Sequence, residues 1–333
     1  MTIALKRIAD QVIVITGASS GIGLATALAA ARAGAKVVVS SRNGAALEEV
    51  VKEIADQGGT AKAIVADVSK REDLEGLAQS AIETFGRIDT WVNNAGLSIF
   101  GRLEDVSDED HRRLFDINFW GIVYGSTVAA KYLREHGGAI INLGSVVSDV
   151  SFPMQGMYCA SKHAIKGFTD AFRMEIQEEG LPISMTLIKP SSINTPFPVH
   201  AKNYMENQPK LPPPVYAPED VAAAILHAAT HGGRDYYIGG GGKIMSTLNK
   251  HLPTVVDFYG SRIASKQSAN GSAAVDKGGA LYVAGHDGEV HGNSPHHVMR
   301  SVYTRATMHP VLAGALFAGA AMTVSSLRSW GRR

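Results

Sequence analysis

Short, β-branched apolar runs alternate with longer, alanine-rich stretches from about residue 10 to residue 240, and this alternation narrows the folds open to the chain. Strands are expected at Val12–Ile15, Val37–Ser40, Ala63–Val65, Thr90–Val92, Ala139–Leu143, Ser184–Ile188 and Tyr236–Ile238. Their apolar runs are nearly continuous rather than alternating, the pattern of strands buried on both faces of a parallel sheet. Helices are expected between them, at Ile22–Ala33, Ala45–Gln57, Arg71–Phe85, Asp108–Glu135, Tyr158–Glu179 and Pro218–Thr230. Ser107 followed by Asp110 reads as an N-cap pair, and Gly34 and Gly180 stand where helix C-termini need glycine. Parallel strands joined by helices require right-handed crossovers. The expected fold is therefore α/β: a single doubly wound parallel sheet of Rossmann type with helices on both faces.

This pattern defines a catalytic domain over residues 8–245 and a C-terminal extension over 246–333. Residues 244–265 read as one more amphipathic helix, broken by Pro253. Residues 266–309 are rich in Gly, Ser and His without a sustained period and read as a flexible linker or loosely docked tail. Residues 311–327 form an uncharged apolar segment followed by Arg328, Arg332 and Arg333. Such a segment suits either membrane attachment or a helix packed on the domain or on a partner subunit. The net charge of +1 gives no sign of nucleic acid as a partner. The single cysteine, Cys159, cannot form an internal disulfide, and Val12–Ile15 is too short for a signal-peptide core. A cytoplasmic protein is expected, with membrane association through 311–327 left open. His286, His291, His296 and His297 crowd the tail without zinc-ligand spacing, so no metal site is expected.

The first strand runs into Thr16-Gly17-Ala18-Ser19-Ser20-Gly21-Ile22-Gly23 and then a helix. Glycines let the backbone turn tightly and approach a pyrophosphate, and the helix start presents free N–H groups and its positive dipole end. The end of the second strand discriminates between nicotinamide cofactors, because a carboxylate there accepts bonds from a ribose 2′-hydroxyl and repels a 2′-phosphate. Here the strand ends Ser40-Ser41-Arg42-Asn43, with no carboxylate. Ser41 and Arg42 therefore favour NADP(H) over NAD(H), the guanidinium pairing with the phosphate. Arg42 also reads as a solvated residue opening the next helix.

Tyr158 and Lys162 stand four residues apart in a helical segment, which puts both side chains on one face. A tyrosine that exchanges a proton with an alkoxide has a reference pKa near 10, and a neighbouring ammonium favours the phenolate and lowers that value. Ser145 follows the buried run Ala139–Leu143 at the C-terminal end of a strand, where open α/β sheets bind ligands, and its hydroxyl would hold the substrate oxygen. Ser148 is its near neighbour. Asn118 lies inside the long helix, where a buried amide serves either to bind a bridging water or simply to pack.

Taken together, the Thr16–Gly23 turn, Asp67-Val68, Asn93-Asn94-Ala95-Gly96, Asn118, Ser145 and Tyr158-x-x-x-Lys162 resemble the short-chain dehydrogenase/reductase family in order and spacing, over about residues 8–245. The resemblance implies that Tyr158 is the general acid/base and that Lys162 lowers its pKa and holds the nicotinamide ribose. It implies that Ser145 positions the carbonyl oxygen and that Asn118 holds a water linking Lys162 to solvent. It further implies adenine contacts from Asp67 and Val68, adenine-ribose contacts from Asn94, Ala95 and Gly96, and nicotinamide contacts from Pro190 and Thr195. A homodimer or homotetramer assembled through the long helices is implied as well. One departure stands out: the family's usual Pro-Gly after the sixth strand is Pro190-Ser191 here, and serine tolerates positive φ less well.

Phe152, Pro153, Met154, Leu97, Ile99, Phe100, Phe197, Tyr204, Met205, Leu211 and Pro212-Pro213-Pro214 cluster around the expected cleft. They suit a fairly apolar small carbonyl or alcohol substrate, or else ordinary core and lid packing. The expected function is NADP(H)-dependent interconversion of a carbonyl and a secondary alcohol by direct hydride transfer. The alternatives are a 3-oxoacyl-thioester reductase, for which no basic cluster is evident, and a catalytically silent NADP(H)-binding sensor or scaffold.

Overall fold

The computed structural model describes residues 3–268, 278–285 and 287–309. The apolar segment 311–327, its trailing arginines and His286 lie outside the described residues. Among the described residues, no helix is long and apolar enough to cross a membrane.

Seven strands form one sheet: β1 (Val12–Thr16), β2 (Lys36–Ser41), β3 (Thr60–Val65), β4 (Thr90–Asn93), β5 (Gly138–Leu143), β6 (Ile183–Pro190) and β7 (Asp235–Ile238). Their spatial order is β7-β6-β5-β4-β1-β2-β3, and every pairing is parallel. The order reverses direction between β1 and β4, which opens a crevice at the carboxyl ends of the strands. Alternate side chains of each strand feed two cores. Ile13 and Ile15 pack with α1 (Gly21–Arg32), α2 (Gly44–Asp56) and a later helix over Pro218–His231. Val12 and Val14 pack on the opposite face with α3 (Arg71–Phe85) and the long helices described next. The strand burial expected from sequence holds except at the two edge strands, β3, where Val65 is 62% exposed, and β7, where only Ile238 is buried.

The single helix expected over Asp108–Glu135 is instead three segments: α4 (Asp108–Phe115), a π-helical turn over Asp116–Trp120, and α5 (Gly121–Leu133). Ser107 caps α4 by accepting from the Asp110 N–H, as its spacing predicts. The π turn carries Asn118, whose fully buried amide hydrogen-bonds the main chain of Leu97, and such widened turns occur most often at functional sites. α6 (Gly156–Glu178) follows β5, and α7 (Pro218–His231) follows β6.

Beneath the carboxyl ends of β4 and β5 lies a buried polar network. Asn93 Oδ1 accepts from Trp91 Nε1 at 2.8 Å, and Asn93 Nδ2 donates to Asn142 Oδ1 at 2.8 Å and Ser126 Oγ at 3.0 Å. Asn142 Nδ2 completes it by donating to Thr169 Oγ1 at 3.0 Å. Two strands and helices α5 and α6 are thereby locked in register close to the cleft.

The extension departs most from expectation. Its helical part is broken at Pro253, into α8 (Gly240–His251) and α9 (Pro253–Ser268). The later part is not a loose linker. Val298–Met299 pairs in parallel with Val215–Tyr216, which in turn pairs with Ser192–Ile193. α10 (Val302–Met308) then packs beside β7 and α7, with Thr304 and Met308 buried. The Asp220 carboxylate, also buried, accepts from the Ser301 N–H at 2.6 Å. Backbone bonding and small-residue packing hold this segment, and neither produces a hydrophobic period.

Asn142→Ala should remove the hub of the buried network and leave Asn93 and Thr169 short of partners. Each orphaned group costs about 1–3 kcal/mol. Chemical denaturation should therefore show a loss of roughly 2–4 kcal/mol with an unchanged m-value; a loss below ~0.5 kcal/mol would show that the network does not stabilise the fold.

Candidate functional site

The turn after β1 is bound to the turn after β4. Thr16 Oγ1 accepts from the N–H groups of Asn94 and Ala95, and Asn94 Nδ2 donates to the carbonyls of Thr16 and Gly17, both at 2.9 Å. A Cβ on Gly23 would lie 2.0 Å from the Gly17 carbonyl oxygen, so only glycine lets α1 close against the turn. The result is a cleft of about 490 Å³ along the strand ends. It is lined by Gly17, Ser19, Ser20, Gly21, Ile22, Ser41, Arg42, Asp67, Val68, Asn94, Ala95, Gly96, Ser145, Tyr158, Lys162, Pro190 and Thr195. Of the residues expected at the site, Gly23 and Asn118 lie behind this wall rather than in it.

Arg42 is partly buried, and among the described residues its hydrogen-bond partners are neutral carbonyls: Ala280, Leu281 at 3.3 Å and Val283 at 3.5 Å. Burial lowers its pKa, only partly opposed by the field of Asp67. Asp67 is committed elsewhere, since Arg113 pairs with it at 2.8 Å and Ser69 donates to it at 2.8 Å. Burial pushes the Asp67 carboxyl up, and these hydrogen bonds outweigh it, leaving the group below the usual carboxylate range.

At the other end of the cleft, α6 delivers Tyr158 and Lys162 to the end of β5. Lys162 is 5% exposed, and its Nζ donates to the Leu143 carbonyl at 2.7 Å and sits 5.7 Å from the Tyr158 ring centre. Burial brings its pKa down to about 7. Tyr158 is raised well above its ordinary value by burial, while a hydrogen bond with Ser145 pulls the other way. At the phenol, burial thus outweighs the Ser145 hydrogen bond. Lys162 is removed from water and Tyr158 is partly so, and desolvation holds each toward its neutral form.

Ser145 is fixed by a short helical turn. Its Oγ accepts from the Val147 N–H and its own N–H donates to Ser148 Oγ, both at 3.2 Å, while Oγ also donates to the Pro190 carbonyl at 3.3 Å. Ser148 thus orients Ser145. Asn118 has its amide fully engaged: Oδ1 accepts from the Leu97 N–H, and Nδ2 donates to the Leu97 carbonyl and Ser161 Oγ. A Cβ on Gly96 would sit 3.2 Å from Asn118 Oδ1 and 3.7 Å from Lys162 Nζ, so the three groups adjoin. Ser191 avoids the left-handed region: among non-glycine residues described, Met154 alone has positive φ, and the Ser191 N–H bonds the Ile238 carbonyl. The loop after β6 needs no glycine here.

The apolar residues expected around the substrate divide. Leu97, Phe152, Phe197, Leu211 and Pro212 to Pro214 line the cleft. Ile99, Phe100, Tyr204 and Met205 are instead packed in neighbouring clusters, and Tyr204 hydrogen-bonds Asp110. Met245 of α8 joins the lining unforeseen, because α8 lies beyond the last strand. Cys159, 1% exposed among Val146, Val147 and Val150, is a packing residue. Among the described residues, no cluster of His, Cys, Asp or Glu is arranged to hold a metal ion.

Asp149 had no signal in the sequence. Its carboxylate, 9% exposed, gathers Lys166 at 2.5 Å, Lys189 at 3.2 Å, Tyr237 at 2.7 Å and Ser246 at 3.2 Å. One anion thereby ties the loop that bears Ser145 to α6, β6, β7 and α8. Burial opposes the charge, but the bonds from Lys166 and Tyr237 and the nearby lysine charges lower its pKa to about 2.

A family model described as short chain dehydrogenase matches residues 11–205. The uncharacterized oxidoreductase YxnA of Bacillus subtilis is 45% identical over 320 residues, covering 95% of this chain and 90% of that one, so the match runs into the extension. An alcohol dehydrogenase from the archaeon Thermococcus sibiricus, solved with 5-hydroxy-NADP, is 28% identical with a TM-score of 0.61, over 68% of this chain and 95% of that chain. A short chain dehydrogenase/reductase from Burkholderia phymatum, solved with NAD, is 26% identical with a TM-score of 0.67, over 74% and 94%.

The Asp149 anchor has a pH signature. Its folded pKa lies near 2 against an ordinary 3.8, so its contribution is fully present above about pH 4 and is lost as pH falls toward 2. That shift corresponds to roughly 2 kcal/mol. Asp149→Asn should lower stability by about that much at neutral pH, with the gap from wild type narrowing between pH 4 and pH 2. Parallel stability curves across that window would show that the carboxylate charge is not the anchor.

Proposed function

The chain belongs to the short-chain dehydrogenase family, and from that premise we propose that it is an NADP(H)-dependent oxidoreductase interconverting a carbonyl and a secondary alcohol on a fairly apolar small molecule. One observation carries this reading. A single cleft holds a basic side chain at each end, Arg42 and Lys162, both with pKa values lowered by burial and neither with an anionic hydrogen-bond partner among the described residues. Such a cleft suits a ligand with anionic and hydroxyl groups spread along its length, and the Ser145–Tyr158 pair stands at one end of it.

The residues fit a nicotinamide dinucleotide. The Gly17–Ile22 turn and the start of α1 would receive the pyrophosphate, and Arg42 with Ser41 the 2′-phosphate. Asp67 and Val68 would flank the adenine, Asn94 to Gly96 the adjoining ribose, and Lys162, Pro190 and Thr195 the nicotinamide end. When bound, the dinucleotide supplies or accepts the hydride. Ser145 would hold the substrate oxygen beside Tyr158, with its own orientation set by Ser148 and Pro190. The neutral phenol favoured by burial is the form needed to give a proton to a forming alkoxide, whose affinity for the proton exceeds that of a phenolate. Lys162 would then take up a proton from solvent and, so charged, stabilise the phenolate. In the alcohol direction the same pair runs in reverse, and charged Lys162 assists ionisation of the phenol. Asn118 would act by pinning Leu97 and so the wall beside Lys162.

The apolar lining of Leu97, Val147, Phe152, Phe197 and Met245 supports an uncharged, bulky substrate. Homo-oligomers through the long helices are supported by Trp120 and Met174, 43% and 61% exposed on the α4–α5 run and α6.

Tyr158→Phe should cut turnover of a ketone panel by roughly 10²–10⁴-fold while leaving NADPH binding unchanged; near-normal turnover would remove Tyr158 from its role. The wild type should use NADPH in preference to NADH, and Arg42→Asp should reverse that order by losing a charge-assisted contact worth roughly 1.5–3 kcal/mol. Ratios of kcat/KM for the two cofactors measure this, and a wild-type preference for NADH would end the NADP(H) assignment.

A further inference from the structure

Arg42 is held by the C-terminal extension. Nη1 donates to the Leu281 carbonyl at 3.3 Å, and Nη2 donates to those of Ala280 and Val283. Carbonyl dipoles hold a guanidinium without cancelling its charge, so the arginine is oriented and remains cationic. Arg113, whose Nε donates to the same Leu281 carbonyl at 3.3 Å, differs in being ion-paired with Asp67. Among the described residues no bond engages Arg42 Nε, which leaves donors for a further acceptor.

The segment that offers these carbonyls is anchored by contacts that do not involve Arg42. The Leu281 side chain is fully buried in a cluster with Leu97, Leu114 and Ile117. The Tyr282 hydroxyl donates to Asp110 at 2.7 Å, and the Ala280 N–H donates to the His200 carbonyl at 2.7 Å. Gly279 makes that last approach possible: its φ is +55°, and a Cβ there would lie 2.5 Å from the His200 oxygen. Further along, the Gly288 N–H donates to the Ser19 carbonyl, and the Glu289 carbonyl accepts from the Gly21 N–H at 2.9 Å. The extension therefore lies along the cleft from the end of β2 to the start of α1.

We infer that residues 279–283 position Arg42, so that selection of a ribose 2′-phosphate over a 2′-hydroxyl depends on the extension as well as on the catalytic domain. This rests on the NADP(H) reading above. A long arginine at a strand end surrenders its rotamer freedom when it binds a phosphate. Here that freedom is surrendered during folding, and a preorganised donor binds its anion more tightly. A hydroxyl at the same place gains little from the charge, so the effect falls on NADPH and spares NADH.

Isothermal titration of the full chain with NADPH and with NADH tests this in six proteins: wild type, Arg42→Ala, Leu281→Asp, Gly279→Val and the two double variants that add Arg42→Ala to Leu281→Asp or Gly279→Val. Leu281→Asp undocks the segment by burying a charge, and Gly279→Val does so by steric conflict, so the two share an outcome but not a cause. Arg42→Ala should weaken NADPH binding by about tenfold or more and leave NADH unchanged. Each undocking variant should reproduce most of that loss with NADH affinity held within about twofold, and adding Arg42→Ala to either should cost little more. Unchanged NADPH affinity in both undocking variants, or equal weakening of NADPH and NADH, would overturn the inference. A wild type that binds NADH as tightly as NADPH would instead overturn the cofactor reading itself.

Discussion

A buried ammonium organises the active end of this molecule. Lys162 reaches out of α6 to the Leu143 carbonyl where β5 ends, at 2.7 Å, and that contact fixes how far along the strand the helix sits. Tyr158, one turn earlier, is thereby brought to Ser145 on the loop that leaves the same strand. The arrangement is costly in isolation, because burial disfavours the lysine charge and brings its pKa to about 7. The surroundings hold it in place: the Asn93–Asn142–Thr169 network secures β4, β5 and α6 below, and the Asp149 cluster secures the Ser145 loop above.

The two ends of the cleft follow one electrostatic plan. At each, a basic side chain is taken from water and given carbonyl partners instead of a carboxylate. Of the nearby carboxylates, Asp67 is paired with Arg113 and Asp149 with Lys166 and Lys189, while Asp287 accepts from Asn43 and adds its field to Arg42. A lysine held near neutrality beside a phenol held protonated is a pair ready to donate a proton and then to stabilise the anion left behind. An arginine kept charged at the far end is a pair-seeking group. The extension reaches this second cation and also touches His200, in the loop that covers the substrate side.

The sheet was legible because buried parallel strands write continuous apolar runs, and all seven lie where such runs stand. The glycine turn, Arg42, Ser145, Tyr158 and Lys162 were legible because their chemistry depends on type and spacing, and the structure brings them to one cleft. What escaped notice depends on contacts between distant residues. Asp149 looks like any loop aspartate until α6, β6, β7 and α8 converge on it. The π turn at Asn118 is invisible to a periodicity of 3.6, since the inserted residue shifts the face without breaking the helix-forming composition. The tail misled for a physical reason. Gly, Ser and His read as flexibility, yet Gly279 is there because backbone lies directly on backbone, and Thr304 and Ser301 are hydrogen-bonded within the fold. Likewise, spacing cannot show burial, which raises the Tyr158 phenol against the pull of its Ser145 hydrogen bond.

The central claim is that this cleft moves a hydride directly between a nicotinamide and a carbonyl carbon while Tyr158 handles the proton. Incubating the protein with NADPH deuterated at the transferable ring position and a set of apolar ketones, followed by mass spectrometry of the alcohols, tests it most directly. The account predicts deuterium on the carbinol carbon of the product and none exchanged with water. Alcohol formed without the label, or no ketone reduced at all, would contradict it.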